Sequence, residues 1–167
     1  MYRIRLALLS DCRELSYLKR IVWEETYRGI YPDSKLDNYD YDEHENKFVK
    51  IVNNPDVLLY VVEYLGKLVG YMDYGIPYRK YLDYEQEIGL LYLKKEYKGI
   101  GLGRKLFTMG YNGIKSNGYN RFFISCNKYN INALNFYEKM GGRVIHIDED
   151  NPDKSLVQIK FHFDISE

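Results

Sequence analysis

The sequence predicts an α/β fold with a mixed, mostly antiparallel central sheet of about seven strands and helices on both faces. Short apolar, β-branched segments alternate with longer segments of helical periodicity, which is typical of layered α/β domains. Two strand segments are separated only by Leu65 and Gly66, which predicts an antiparallel hairpin. A glycine-rich turn at residues 98–105 lies between a predicted strand and a predicted helix.

The predicted elements follow one another without a linker or a repeat. Strands are predicted at residues 2–8, 57–64, 67–74, 86–93, 121–126, 143–148 and 156–164. Helices are predicted from residue 11 to about residue 27, at 42–53, at 102–117 and at 132–140, with a short helix after Pro32. Ser10 or Asp11 is the expected N-cap of the first helix. Because 46% of the 167 residues are hydrophobic, we expect a single domain over residues 1–167.

The composition excludes several classes of function. The net charge is zero at pH 7, so we expect no general affinity for nucleic acid. The two cysteines, Cys12 and Cys126, have neither metal-ligand spacing nor the pattern of a disulfide framework, and we expect no metal site. No long apolar segment predicts a secretion signal or a membrane span. A reduced, cytoplasmic location is therefore the expectation.

The stretch from Lys98 to Lys105 is the strongest indication of function. Gly99, Gly101 and Gly103 lie between the predicted strand and helix, where unpaired backbone N–H groups bind anions. The spacing is not that of a P-loop, because no Ser or Thr follows at the position that holds magnesium. It also lacks the third glycine of the dinucleotide fingerprint. The turn therefore predicts binding of another diphosphate-bearing ligand.

Two motifs resemble those of the GCN5-related N-acetyltransferases. Lys98-x-x-Gly101-x-Gly103 resembles the family signature Gln/Arg-x-x-Gly-x-Gly/Ala, which binds the pyrophosphate of acetyl-CoA. Residues 130–141 resemble the family's late helix, Asn-x-x-Ala-x-x-Phe-Tyr-x-x-x-Gly. The motifs occur in the family's order and spacing, and the resemblance covers nearly the whole chain. It implies the acyl-CoA N-acyltransferase fold, acetyl-CoA as co-substrate and acetyl transfer to an amine.

The resemblance also implies which residues bind the cofactor. In the family, the strand before the turn separates from its neighbour, so the backbone of Leu91, Tyr92 and Leu93 is expected to pair with pantetheine. Asn130 is expected to hydrogen-bond the pantetheine or a phosphate. The residues expected to hold the pyrophosphate are Lys98, Gly99, Ile100, Gly101, Leu102, Gly103 and Arg104.

Two residues are candidates for proton transfer. The resemblance implies that Glu87 acts through water as the base. Alternatively, Glu87 is an ordinary exposed carboxylate, and either Glu85 or bulk water takes the proton. Tyr137 is expected to protonate the leaving thiolate, and the alternative is that its ring packs on pantetheine and only positions it. Cys126 is interpreted as a buried structural thiol rather than as an acyl carrier.

The acceptor is expected to be a small-molecule or peptide amine. Residues 33–45 contain six carboxylates and one lysine, which predicts steering of a small cationic amine unless the segment is only a solvated helix face. Protein amino-terminal acetylation is an alternative, although some such enzymes have a glutamate where Ser125 stands. A non-catalytic acyl-CoA sensor is a second alternative. Because the family often forms dimers, a homodimer is a further expectation.

Overall fold

A computed structural model describes residues 1–166 and shows a seven-stranded sheet flanked by helices. The strands are β1 (Tyr2–Leu6), β2 (Val57–Tyr64), β3 (Lys67–Gly75), β4 (Glu87–Leu93), β5 (Arg121–Asn127), β6 (Arg143–Ile147) and β7 (Gln158–Asp164). The helices are α1 (Cys12–Tyr27), α2 (Asp33–Asp37), α3 (Tyr41–Asn53), α4 (Leu102–Ser116) and α5 (Ile131–Lys139). The predicted fold class is confirmed; Glu167, the last residue of the predicted domain, lies outside the described residues.

The strands lie in the order β1-β2-β3-β4-β5-β7-β6. Every neighbouring pair is antiparallel except β4 and β5, which are parallel. The predicted hairpin is present: β2 and β3 are joined by Leu65 and Gly66, both with positive φ, which is the conformation of tight hairpin turns. The parallel pair aligns only at Glu87 and Phe123, so the sheet opens beyond this point.

Helices cover both faces of the sheet. On one face, α1 and α3 bury Cys12, Leu15, Leu18, Val22 and Phe48 against β2 and β3. On the other face, α4 and α5 contribute Leu102, Leu106, Phe107, Ile114 and Tyr137 to a second apolar core. The four-residue spacing of Leu102 and Leu106 places both side chains on the buried stripe of α4. Within residues 1–166, no helix combines the length and the apolar character that a membrane crossing requires.

Asp11 is the N-cap of α1, as expected, but its side chain does not bond to the helix. Asp11 ends a 3₁₀ turn rather than capping α1 with its side chain. Its carboxylate instead accepts the Leu8 N–H at 2.7 Å and forms a two-bond ion pair with Arg5 at 2.7 and 2.9 Å. The guanidinium of Arg5 holds the pKa of this carboxyl below its usual range. The side-chain partners of Asp11 are therefore Arg5 on β1 and Leu8 in the segment after β1, not the first turn of the helix.

A β-bulge distinguishes the β3–β4 pair. Asp73 is aligned with Leu90 and Tyr74 with Ile88, which leaves Gly89 as an extra residue in β4. A Cβ atom at Gly89 would lie 2.6 Å from the Tyr78 ring and 2.9 Å from a carboxylate oxygen of Asp73. Only glycine therefore fits here. The loop that connects the two strands packs its Tyr78 side chain directly on the bulge.

Candidate active site

A deep cleft opens where β4 and β5 separate. The two strands are held together by the Phe123 N–H, which donates to the Gln86 carbonyl at 3.3 Å, and they diverge beyond it. The cleft has a volume of about 790 Å³ and is lined from Gly89 onward on one strand and by residues 125–127 on the other. The position of this cleft follows from the sheet topology rather than from a loop insertion.

One end of the cleft is formed by the glycine-rich turn. Gly99 and Gly101 have φ values of 79° and 89°, in the left-handed region that favours glycine, and a Cβ at either position would meet nothing within 4 Å. Gly101 is the N-cap of α4, and no side chain caps the helix. The first backbone N–H groups of α4 have no intrahelical partner. This end therefore offers free amides and the positive end of a helix dipole to an anion.

The charges that line the cleft have a single sign. Lys98, Arg104 and Lys139 contribute cations, whereas no Asp or Glu of residues 1–166 is among the lining residues. The first turn of α4 also contains no acidic residue. This donor set fits a diphosphate, since both the helix terminus and the flanking side chains favour negative charge.

Helix α5 forms the wall opposite β4. Asn130 caps it, accepting the Ala133 N–H at 3.3 Å through its side-chain oxygen. Its amide group is therefore oriented by the helix, and Asn130 lines the cleft as predicted. Asn132, Phe136 and Lys139 also line the cleft but were not predicted. Their three- to four-residue spacing places them on one face of the helix, and this could have been predicted from the sequence.

The structure brings most of the predicted site residues to the cleft. Those that line it are Leu91, Tyr92, Leu93, Lys98, Gly99, Gly101, Gly103, Arg104, Asn130 and Tyr137. Three others do not. The Ile100 side chain is 56% exposed, and Leu102 is buried in the apolar core, so neither side chain faces the cleft. Glu87 also stands outside the lining, at the point where β4 and β5 meet.

Glu87 is a buried carboxylate rather than an ordinary exposed one. It is 7% exposed, and its Oε1 accepts the backbone N–H of Tyr78 at 2.7 Å. Burial raises the pKa of Glu87, and the Tyr78 N–H and the nearby Lys160 ammonium oppose this shift. A carboxylate with a raised pKa is better matched to accepting a proton near neutral pH than a solvated one.

Tyr137 and Cys126 both lie along the cleft, and both keep their protons. Burial raises the pKa of Tyr137 well above its ordinary value, so the phenol is protonated at neutral pH. Burial also raises the pKa of the Cys126 thiol to about 12, which leaves little thiolate for nucleophilic attack. The Cys126 side chain is 6% exposed. The interpretation of Cys126 as a buried thiol agrees with this environment.

The other end of the cleft is aromatic. The rings of Tyr27 and Tyr31 stack with centroids 4.2 Å apart, and the Tyr27 and Tyr92 hydroxyls lie within hydrogen-bond distance at 3.0 Å. Ser125 lines the same region, and the Lys160 ammonium donates to its hydroxyl at 2.8 Å. These side chains come from α1, β4, β5 and β7 and the segment after α1, so their proximity depends on the tertiary fold.

The six carboxylates of residues 33–45, for which steering of a cationic amine or a solvated helix face was expected, are bonded to other groups of the protein. Arg28 pairs with Asp33 and Asp37, Arg13 pairs with Asp42 and Glu45, and Lys47 pairs with Glu43. The Asp40 side chain accepts two backbone N–H groups as the N-cap of α3. All six carboxylates thus have structural partners, which weakens their field toward the cleft. The three cations responsible, Arg13, Arg28 and Lys47, lie outside residues 33–45, the segment in which charges were counted.

Metal ligation is not suggested by the arrangement of side chains. Over the described range 1–166, no group of three or more His, Cys, Asp or Glu side chains is placed to hold a metal ion.

Comparison with solved structures defines the class of the protein. The crystal structure of PaiA N-acetyltransferase from Thermoplasma acidophilum in complex with coenzyme A matches with a TM-score of 0.79. It is 23% identical, and the match covers 98% of this chain and 99% of that chain. The open seven-stranded sheet is thus that of the acyl-CoA N-acyltransferase fold.

Sequence comparison then identifies the family. The model of the acetyltransferase (GNAT) family matches residues 12–142, and the chain belongs to this family. The uncharacterized N-acetyltransferase YuaI of Bacillus subtilis strain 168 is 24% identical over 160 residues, which are 96% of this chain and 90% of the relative. Spermidine N(1)-acetyltransferase of Thermoplasma acidophilum is 25% identical over 150 residues, 87% of this chain and 90% of the relative. The chain is therefore an acetyl-CoA-dependent N-acetyltransferase.

Proposed function

We propose that this enzyme transfers the acetyl group of acetyl-CoA directly to the primary amine of a small cationic molecule. The observation that supports this most is the continuity of one cleft from the cationic glycine-rich turn, past Tyr137, to the tyrosine-lined end. Such a cleft accommodates a long, phosphate-bearing carrier at one end and a compact acceptor at the other. The relative named spermidine N(1)-acetyltransferase supports a small amine as acceptor.

The residues around the α4 N-terminus would hold the diphosphate. The unpaired backbone N–H groups from Gly99 to Arg104 would provide the main contacts, because the fold already holds them in place before the ligand binds. Ile100 and Leu102 would contribute only through their backbone, since their side chains point elsewhere. The strand backbone at Leu91–Leu93 and the oriented amide of Asn130 would hold the pantetheine.

Two groups would move protons. Acetyl-CoA supplies the acetyl group and a thiolate that has to be protonated on leaving. Tyr137, which holds its proton at neutral pH, would donate it from the phenolic oxygen. Glu87 would accept a proton from the ammonium through water, since it stands just outside the cleft lining. Burial raises its pKa in the direction that this role requires.

Aromatic rings would recognise the acceptor. Because the lining contains no carboxylate, the ammonium would contact the ring of Tyr27 and the hydroxyl of Tyr92. A cation over an aromatic face gains about 0.5–2 kcal/mol. Lys35 already occupies such a position, with its ammonium 4.4 Å from the centroid of the Tyr31 ring.

Amino-terminal acetylation of a protein is less well supported. At the position where some such enzymes have a glutamate, Ser125 accepts a hydrogen bond from Lys160. A serine at this position cannot accept the proton of a terminal amine as that glutamate would.

Thiol release from acetyl-CoA in the presence of an amine panel tests the proposal. The panel contains aromatic and aliphatic monoamines, spermidine, an aminoglycoside and a peptide with a free amino terminus. We expect release that depends on a small amine, together with mass-spectrometric detection of the acetylated product. Tight binding of CoA without release in any sample would contradict the proposal and favour a sensor.

Glu87→Gln tests the assignment of the base. The variant keeps the shape of the side chain but removes the ionisation, so we expect one ionisation to disappear from the dependence of kcat on pH. The expected fall in kcat is about 100-fold, which is a typical contribution of general base catalysis. An unchanged profile would move the base elsewhere.

A further inference from the structure

Asp73 is a fully buried carboxylate that the reaction outlined above does not use. It lies on β3 with no exposed surface, in a strand whose other residues from Leu68 to Gly75 are buried and uncharged. No ion pair with a cation is formed by Asp73 within the described residues 1–166. A buried charge without a cation is costly, so its presence calls for a specific reason.

The carboxylate is held by the β-bulge. Its Oδ1 accepts the Leu90 N–H at 2.8 Å, and the Gly89 N–H also favours the ionised form. Its Oδ2 accepts the hydroxyl of Tyr78, whose ring lies against Gly89. Since Gly89 lines the cleft, Asp73 lies one residue layer behind the cleft surface.

Tyr78 connects Asp73 with Glu87. The Tyr78 hydroxyl donates to Asp73, while the Tyr78 backbone N–H donates to Glu87 at 2.7 Å. The Tyr78 side chain is 51% exposed, so its ring reaches from solvent to the buried carboxylate. One residue of the β3–β4 loop thus contacts both buried carboxylates of this region.

The titratable groups that face Asp73 come from every neighbouring segment. They are Tyr71 on β3, Tyr78 in the loop, and Glu87 and Tyr92 on β4. Lys160 on β7 faces Glu87. Burial and the charge of Glu87 raise the pKa of Asp73 to about 7, against the hydrogen bonds from Tyr78, Leu90 and Gly89. Burial raises the pKa of Tyr78, so the phenol does not ionise by itself.

The reaction removes two protons from the amine nitrogen. An ammonium group carries three protons, whereas the amide nitrogen formed from a primary amine keeps one. Two protons therefore leave the nitrogen in each turnover, and Tyr137 supplies one proton to the thiolate. Solvent reprotonates Tyr137 and removes both protons taken up, so one proton is released overall. Glu87 accounts for one of these two protons, so a second acceptor can take the other.

We propose that Asp73 is the second proton acceptor of this site and that it acts through the Tyr78 hydroxyl. Through a water molecule, the nitrogen passes one proton to the phenolic oxygen of Tyr78 while the Tyr78 O–H proton moves to Oδ2 of Asp73. An N–H bond, a water O–H bond and the Tyr78 O–H bond break, and three new O–H bonds form. Tyr78 ends the step neutral and Asp73 becomes a carboxylic acid. This inference rests on the proposed function, since it assigns a role within the same reaction.

The test compares the dependence of kcat on pH in wild type, Asp73→Asn, Tyr78→Phe and Glu87→Gln, with amine and acetyl-CoA saturating. We expect two ionisations on the acidic side of the wild-type profile and one in each variant. Asp73→Asn keeps an acceptor for the Leu90 N–H, and Tyr78→Phe keeps the backbone bond to Glu87. We expect kcat to fall about 10- to 100-fold in both, as for loss of a general base, with CoA affinity unchanged.

Asp83→Asn is the matched control, because it removes an exposed carboxylate of the same loop that pairs with Arg121. We expect it to retain both ionisations. A purely structural role for Asp73 would lower thermal stability and leave the number of ionisations at two, which would overturn the inference. If Glu87→Gln loses an ionisation while Asp73→Asn and Tyr78→Phe do not, only this inference fails. A wild type that binds CoA without acetylating any amine would overturn both proposals.

The half-exposed Tyr78 keeps the test decisive if Asp73→Asn does not fold. Its ring remains in Tyr78→Phe, so the packing against Gly89 is preserved while the bond to Asp73 is lost. A Tyr78→Phe protein that binds CoA but retains the wild-type profile would be sufficient to reject the relay.

Discussion

The two ends of the cleft are built in different ways. The glycine-rich end consists of backbone amides and a helix terminus that lie within seven residues of one another, from Lys98 to Arg104. The tyrosine-lined end is assembled from side chains of α1, β4 and β5 that are distant in sequence, such as Tyr27, Tyr92 and Ser125. Backbone geometry that depends on neighbouring residues can be recognised from a sequence motif, whereas the proximity of side chains that are distant in sequence cannot.

This contrast predicts that chemistry and cofactor affinity are separable. Tyr137→Phe removes the proposed proton donor from the middle of the cleft without changing the turn. We expect kcat to fall about 100-fold, as for loss of a general acid, with CoA affinity unchanged. Steady-state kinetics and calorimetric titration with CoA measure the two quantities.

Tyr92→Phe is the comparison variant for Tyr137→Phe, because it removes the hydroxyl that is proposed to contact the ammonium at the tyrosine-lined end. We expect it to raise the KM for the amine more than it lowers kcat. If Tyr137→Phe has the turnover of the wild type, Tyr137 only packs along the cleft.

The glycine-rich end is expected to respond to backbone changes. Gly101→Val forces a branched side chain into a φ of 89° at the α4 N-cap. We expect the Kd for CoA to rise at least about 10-fold, which corresponds to about 1.4 kcal/mol. Isothermal calorimetry measures the affinity, and chemical denaturation measures the cost in stability.

Gly118→Val is the matched control for Gly101→Val. Its φ of 88° is nearly the same, and a Cβ there also meets nothing within 4 Å. Both variants should lose about 1–2 kcal/mol of stability from the left-handed backbone. Only Gly101→Val should weaken CoA binding. Equal CoA affinity in the two proteins would mean that the turn does not hold the cofactor.

The sequence was informative where function depends on local spacing. The motif beginning at Lys98 and the late helix beginning at Asn130 predicted one end of the cleft and its opposite wall, and the hairpin at Leu65 and Gly66 was correctly predicted. Each of these features depends on residues fewer than about a dozen positions apart. Ile100 and Leu102 belong to the glycine-rich motif, but the motif did not predict where their side chains point.

The environment of Asp73 was not predictable in this way. One aspartate in an apolar strand was the only signal, and its partners Tyr78, Gly89 and Leu90 are brought to it by a bulge. Periodicity gives the face of a strand residue but not a change of register. Such contacts require the three-dimensional pairing of the strands.

The face of the sheet that supports the tyrosine-lined end also contains an unsatisfied polar atom. The Tyr71 hydroxyl is fully buried and has no hydrogen-bond partner within residues 1–166. The cost of an unsatisfied buried polar group is about 1–3 kcal/mol. We therefore expect Tyr71→Phe to leave the free energy of unfolding unchanged or to raise it by about 1 kcal/mol.

Tyr39→Phe provides the opposite case in the same layer. Its hydroxyl donates to the Ser16 carbonyl at 2.8 Å, so its removal should lower the free energy of unfolding by about 1 kcal/mol. Urea denaturation monitored by circular dichroism measures both values. A loss of stability in Tyr71→Phe comparable to that in Tyr39→Phe would show that the Tyr71 hydroxyl is satisfied in solution.

The smallest effect is expected from the acidic segment that precedes the cleft. Asp33 and Asp37 both pair with Arg28, at 3.0 and 2.8 Å, and exposed ion pairs contribute only about 0–1 kcal/mol. The double variant Asp33→Asn/Asp37→Asn should therefore change kcat/KM for a cationic amine by less than about 2-fold, because both carboxylates are exposed and solvent and salt screen their field. Arg28→Gln makes the opposite change, since it leaves both carboxylates without their cation. A kcat/KM that rises in Arg28→Gln at low salt and returns to the wild-type value at high salt would show that the unpaired carboxylates attract the amine. A loss of about 10-fold or more in the double variant would instead show that these carboxylates steer the substrate despite their pairing.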